Sequence, residues 1–144
     1  MECPMPTINT NDAKEIKQIL QDVKTIAIIG LSPNEEKESN MVGKYLKNAG
    51  YKIIPIYPKE EYILGEKVYR SLSEVTEHVD MVDMFRKPAI ADSLLEEVLK
   101  RDDVKVFWLQ LGIVNNEACE RAKKAGLKVV QNRCSKIEHQ RLMK

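Results

Sequence analysis

The sequence predicts a doubly wound α/β fold: a Rossmann-like parallel sheet of five strands with helices on both faces. Three observations carry that reading. Five apolar runs of strand length recur along the chain, and they are continuous rather than alternating, as strands covered on both faces require. Segments with helical spacing of apolar residues separate them. The links between the two are short, so right-handed crossovers join successive strands.

The elements follow in order. Thr10 or Asn11 caps a first helix whose apolar stripe is Ile16, Ile19, Leu20 and Val23. TIAIIG (25–30) is the first strand. Ser39 or Asn40 opens a helix through Val42, Tyr45, Leu46 and Ala49, which Gly50 stops. YKIIPIY (51–57) is the second strand, and Pro55 marks it as an edge, a strand end or a distortion. Residues 58–71 form a loop with one extended piece at 67–69, and SLSEVTEH (71–78) suits a short capped helix.

VDMVDMF (79–85) is the third strand. The helix after it, 87–102, has Pro88 near its first turn and Ile90, Ala91, Leu94, Leu95 and Val98 inward. VKVFWLQLG (104–112) is the fourth strand, followed by a capped helix ending at Gly126. LKVVQN (127–132) is the fifth, and a helix from Ser135 closes the chain. The 144 residues make one domain, with 1–9 as a flexible tail.

Composition limits the function classes. A net charge of +1 creates no global field for nucleic acid or anionic membrane, so any phosphate site must be local. Cys3, Cys119 and Cys134 show no paired spacing and no Cys/His cluster suggests a zinc site. The N-terminus lacks a signal design and no run approaches the ~20 apolar residues of a membrane span. A cytoplasmic protein is expected.

Ligands of such folds bind beyond the carboxyl ends of the strands. Gly30 permits a sharp turn there, Ser32 offers a hydroxyl and an amide, and the helix start at Ser39 adds partial positive charge. The loop lacks the second and third glycines of a dinucleotide fingerprint, so a phosphate loop and an ordinary connection both stay open. The run Glu35-Glu36-Lys37-Glu38 is expected to face water. At the end of strand two, Tyr57 and Pro58 offer flat apolar surface to a base or ribose. Lys59 stands where an NAD site wants an acid. A cation suits a phosphorylated ribose, as in NADP or coenzyme A; the alternative is a turn with a surface lysine. Arg86 carries a fork for phosphate oxygens or makes a surface ion pair with Asp83 or Glu66.

IAIIGLS, SNMVGKYLKNAGYKIIPIYP, ILGEKVYRSL, VDMVDMFRKP, FWLQLGIVNNEA and NRCSKIEHQRL follow one another in this chain. Together they resemble the small bacterial CoA-binding domain proteins of the YccU-like group. These are similar in turn to the N-terminal CoA-binding domain of the succinyl-CoA synthetase α subunit. The resemblance spans residues 25–142, and WLQLG with NRCSKIEHQRL is its most specific part. It implies coenzyme A or an acyl-CoA lying across the strand ends. By it, Gly30, Leu31 and Ser32 form the phosphate loop, with Ser39 at the next helix start. Tyr57, Pro58 and Lys59 lie near the adenosine 3′-phosphate, and Phe85, Arg86 and Pro88 flank the adenine and pyrophosphate. Gln110, Leu111 and Gly112 line the pantetheine side.

No complete catalytic set is visible. The phosphohistidine of succinyl-CoA synthetase lies in a second domain that these residues do not include. His139 is read as structural, pairing with Glu138 or capping the last helix, and His78 sits in a polar segment. Cys134 stands beside Arg133 and Lys136 at a helix start, which favours thiolate and makes it a candidate redox thiol near the pantetheine; the alternative is a buried small apolar residue. Three functions are therefore carried forward. The first is a stand-alone CoA binder, and the second a CoA-binding component working with a separate ATP-grasp-type partner. The third is an NADP-binding redox protein.

Overall fold

The computed structural model describes residues 13–143. Its helices are α1 (Ala13–Asp22), α2 (Glu38–Asn48), α3 (Ile90–Leu99), α4 (Asn116–Lys124) and α5 (Ser135–Leu142). Strands β1 (Thr25–Ile29), β2 (Lys52–Ile56), β5 (Met81–Met84), β6 (Val106–Leu109) and β7 (Lys128–Val130) form one sheet in the order β2-β1-β5-β6-β7. Every neighbouring pair is parallel. From β1 the chain winds outward to β2, then crosses back to β5 and continues the other way. The carboxyl ends of β1 and β5 thus flank the switch point, the place where such sheets bind ligands.

Alternation along each strand divides the core. Ile26 and Ile28 of β1, with Val106 and Trp108 of β6, pack under α1, α2 and α5. Ala27 and Ile29, with Phe107 and Leu109, pack under α3 and α4. All eight are buried, which is why the runs read as continuous. Pro55 lies on β2, the sheet edge, opposite Ile28, so its missing N–H falls on one of the expected positions.

Two segments differ from the sequence expectation. Residues 71–78 form a single 3-10 turn, Leu72–Glu74, instead of a short helix. Arg101 explains the difference. Its Nη1 donates to the carbonyls of Leu72 (3.2 Å) and Val75 (2.8 Å), and its Nη2 to Glu77 (2.8 Å). The guanidinium thus shares the Leu72 carbonyl with the Val75 amide and takes the Val75 and Glu77 carbonyls that further helical amides would have used. In the loop after β2, Tyr62–Ile63 (β3) pairs antiparallel with Glu66–Lys67 (β4). Leu64 (φ 55°) and Gly65 (φ 79°) make the two-residue turn, whose left-handed backbone matches a hairpin. The extended piece is thus a hairpin followed by Tyr69, which bridges to Ile56.

No helix among the described residues is long and apolar enough to cross a membrane. The tail 1–9, Cys3 and the cap at Thr10 or Asn11 lie outside the described residues.

Candidate functional site

A cleft at the switch point has two lobes that share Gly30, Tyr57, Pro58 and Arg86. The lobe on the α3 side, about 190 Å³, adds Arg70, Ile90 and Glu97 to its walls. The lobe on the α2 side, about 500 Å³, adds Ser32, Lys37, Glu38, Ser39 and Phe85. Arg86 runs between them, flat against Gly30. A Cβ on Gly30 would stand 2.8 Å from Arg86 Cδ and 3.0 Å from the Phe85 carbonyl, and its φ of +86° is left-handed. Glycine is therefore required twice here, by backbone and by the approach of Arg86.

The loop after β1 is held internally. The Ser32 amide donates to Ser39 Oγ (3.0 Å), and Asn40 Nδ2 donates to the Ser32 carbonyl (2.8 Å). The Asn34 amide donates to Ser32 Oγ (3.0 Å). The sequence predicts a Ser32 amide facing a phosphate; here that amide is committed to Ser39. Helix α2 begins at Glu38, one residue before Ser39, so Ser39 braces the loop from within the first turn. Leu31 is fully buried in the core and lines neither lobe. Glu35 and Glu36 are exposed and line neither lobe, as a water-facing run requires, whereas Lys37 and Glu38, also exposed, line the α2-side lobe.

The turn after β2 is fixed by a residue the sequence reading passed over. Arg70 Nη1 donates to the carbonyls of Tyr57 (3.0 Å), Lys59 (2.9 Å) and Glu60 (2.9 Å). Tyr57 and Pro58 face the cleft, whereas the exposed Lys59 side chain lines neither lobe. Neither alternative ion pair of Arg86 forms: Glu66 pairs with Lys47 (3.1 Å), and Asp83 is turned inward. Pro88 sits just before α3 and outside both lobes; its carbonyl accepts from Ala91 N (3.0 Å) and Asn115 Nδ2 (2.9 Å).

Beyond β5 the strand ends are closed by polar stitching. The resemblance implies Gln110 on the pantetheine side; in the structure its side chain is buried. Its Nε2 donates to Asp83 Oδ1 (2.6 Å) and Ser135 Oγ (2.7 Å), and Ser135 Oγ donates to Asp83 Oδ2 (2.8 Å). Burial pushes the Asp83 carboxyl up to about 7, against the pull of those two hydrogen bonds. Leu111 and Gly112 are exposed on the rim, outside the two lobes. The Gly112 amide donates to Asn132 Oδ1 (2.7 Å), the Asn115 amide to Gln131 Oε1 (2.9 Å), and Trp108 Nε1 to the Arg133 carbonyl (2.8 Å). Asn132 has φ 59°, a conformation asparagine tolerates better than most residues.

Cys134 is buried, and burial raises its thiol pKa, with the Ile137 and Lys136 amides pulling the other way. Of the two readings of Cys134, the thiolate is thus disfavoured, because desolvation outweighs the helix start, and the buried small residue is the one the structure matches. His139 accepts or donates at Nδ1 with Tyr45 Oη (2.8 Å) rather than pairing with Glu138, which meets Arg141 (2.6 Å). Burial lowers the His139 pKa. His78 pairs with Asp80 (2.7 Å). Neither histidine lines either lobe.

Sequence reasoning thus brought Gly30, Ser32, Ser39, Tyr57, Pro58, Phe85 and Arg86 to one cleft and missed Arg70, Asn40 and Glu97. Arg70 sits 11 residues beyond Lys59 with no spacing motif, so only the hairpin's return could have revealed it. Asn40 was visible as a helix starter, and Glu97 as a helix surface charge.

The chain is similar to several known proteins. The chain is 42% identical over 125 residues to YneT of Bacillus subtilis, covering 87% of this chain and 92% of that protein. A solved structure of a Pyrococcus horikoshii OT3 protein superposes with a TM-score of 0.90 at 38% identity, over 100% of both chains. An ADP-forming acetate–CoA ligase of Methanocaldococcus jannaschii is 29% identical over 118 residues, which are 77% of this chain but 17% of the ligase. The family described as CoA binding domain matches residues 24–140, and the chain belongs to that family.

Proposed function

We propose that the protein binds coenzyme A or an acyl-CoA across its strand ends as a stand-alone, non-catalytic module. The observation that carries this reading is the two-lobed cleft at the switch point, with Tyr57, Pro58 and Arg86 common to both lobes. A flat base suits the α3-side lobe, whose walls include Ile29, Ile56, Leu72 and Ile90. Phosphates suit the α2-side lobe, where Lys37, Arg86 and the amino end of the 11-residue α2 supply positive character that outnumbers the single wall carboxylate, Glu38. From there the thiol arm would leave over Leu111 and Gly112. Membership of the CoA binding domain family supports the choice of ligand.

A second reading follows from the ligase relative: the chain would act as a CoA-binding component with a separate ATP-grasp-type partner. Calorimetry and thermal shift with CoA, acetyl-CoA, NAD and NADP test the first reading. Ligand at 100 times its Kd should stabilise the chain by about 2.7 kcal/mol, with CoA or acetyl-CoA active and both dinucleotides inert. An equal response to NADP, or none to CoA, rejects it. Recovery of an ATP-grasp partner that forms a thioester with ATP would replace it with the second.

A further inference from the structure

We propose that Arg70 reads a phosphate on the ribose and so distinguishes coenzyme A from its dephospho form. This rests on the coenzyme A reading above and names the residue that gives it selectivity. Arg70 lines the α3-side lobe together with Arg86. Its Nη1 is tied to three carbonyls of the turn after β2, at 2.9–3.0 Å. Nε and Nη2 make no hydrogen bond to any described residue, so one planar edge of the guanidinium remains available. That edge matches two phosphate oxygens, and Lys cannot reproduce it. Because the other edge is already anchored, little side-chain freedom is lost when a phosphate docks.

Two carboxylates lie near Arg70: Glu74, whose Oε1 accepts from the Arg70 amide (3.1 Å) and which does not line the lobe, and Glu97, which does. Glu97 places a carboxylate on the α3 wall, with Oε1 held by the Ser73 amide (3.0 Å). It disfavours a phosphate on that side and leaves the Tyr57, Arg70 and Arg86 side for it. Lys59 contributes its carbonyl to the turn, while its exposed side chain lines neither lobe. The ribose-phosphate role expected for Lys59 therefore passes to Arg70.

Titration calorimetry with CoA and dephospho-CoA on wild type, Arg70→Ala, Arg70→Lys and Lys59→Ala provides the test, with melting temperature reporting on folding. Arg70→Ala should lose about 10- to 100-fold in CoA affinity while dephospho-CoA changes less than about 3-fold. Arg70→Lys keeps a cation without the fork and should fall between; it carries the test if the alanine variant does not fold. Lys59→Ala should lose less selectivity than Arg70→Ala. Equal losses for both ligands, or greater selectivity loss at Lys59, overturns the assignment while leaving CoA binding intact. Failure of the wild type to bind either ligand overturns the coenzyme A reading first, and this inference with it.

Discussion

Replacing Asp83 by Asn should remove a pH dependence of stability that the wild type shows between about pH 4 and 7. The carboxyl is fully buried and its pKa is pushed up to about 7, whereas an unfolded aspartate titrates near ~3.9. Between these values the native state keeps a proton that the unfolded chain has released. Stability from this group is therefore fully present below about pH 4 and is lost as pH rises through 7. Three units at about 1.4 kcal/mol each give a ceiling of ~4 kcal/mol. A carboxamide in place of the Asp83 carboxyl has nearly the same shape and no charge, and its carbonyl can still accept from Gln110. Urea unfolding at pH 5, 6, 7 and 8 measures the effect as the difference between the two proteins. His139 and Asp103 titrate in both, so they cancel. The Asp83→Asn protein should gain about 2–4 kcal/mol on the wild type between pH 5 and 8. A difference that stays constant, or moves the other way, refutes the account of a carboxyl sealed among Gln110 and Ser135.

Other outcomes follow from single contacts. Gly30→Ala should lower stability by about 1–3 kcal/mol in thermal melts and displace Arg86, with CoA binding falling in parallel. Arg101→Ala should cost about 2–3 kcal/mol and raise amide hydrogen exchange over residues 72–77 more than elsewhere, since the Val75 and Glu77 carbonyls lose the guanidinium donor and Leu72 keeps only the Val75 amide. The Asp103 carboxyl is held down to about 2, despite burial, by Arg101 and the Val79 amide, so its stabilisation should disappear as pH falls from 4 through 2. In Arg101→Ala, acid titration of stability should lose most of that component. In a Cys3→Ser background, Cys134 and Cys119 should react with Ellman's reagent at pH 8 far more slowly folded than in urea, because both are buried with raised pKa values.

The sheet was legible because five runs such as TIAII and VFWL are apolar on both faces, a pattern only covered parallel strands need. The near half of the site was legible for a related reason: Gly30, Tyr57 and Arg86 each follow closely on a strand end, and topology alone brings strand ends together. Arg70 and Arg101 were not. Their roles depend on which carbonyls long side chains reach across 10–29 residues of chain, and no local spacing encodes that. The Gln110 side chain was not legible either. The resemblance gives Gln110 to the pantetheine side, while in the structure the buried Asp83 carboxyl needs donors and the Gln110 side chain supplies one. For Cys134 the charged neighbours in sequence and a buried strand–helix junction pointed opposite ways, and its mostly apolar surroundings in space decide for the second.

The braces between Gly112 and Asn132 and between Asn115 and Gln131 have a consequence for how this scaffold tolerates change. They share no partner with the contacts that Arg70 makes around Tyr57 and Glu60. Substitutions on the two sides of the rim should therefore combine additively, within about 0.5 kcal/mol. The turn after β2 could be exchanged for one with a different anion preference while the β6–β7 side keeps its shape. In evolutionary terms, the cleft can drift at one end without forfeiting what the other already holds.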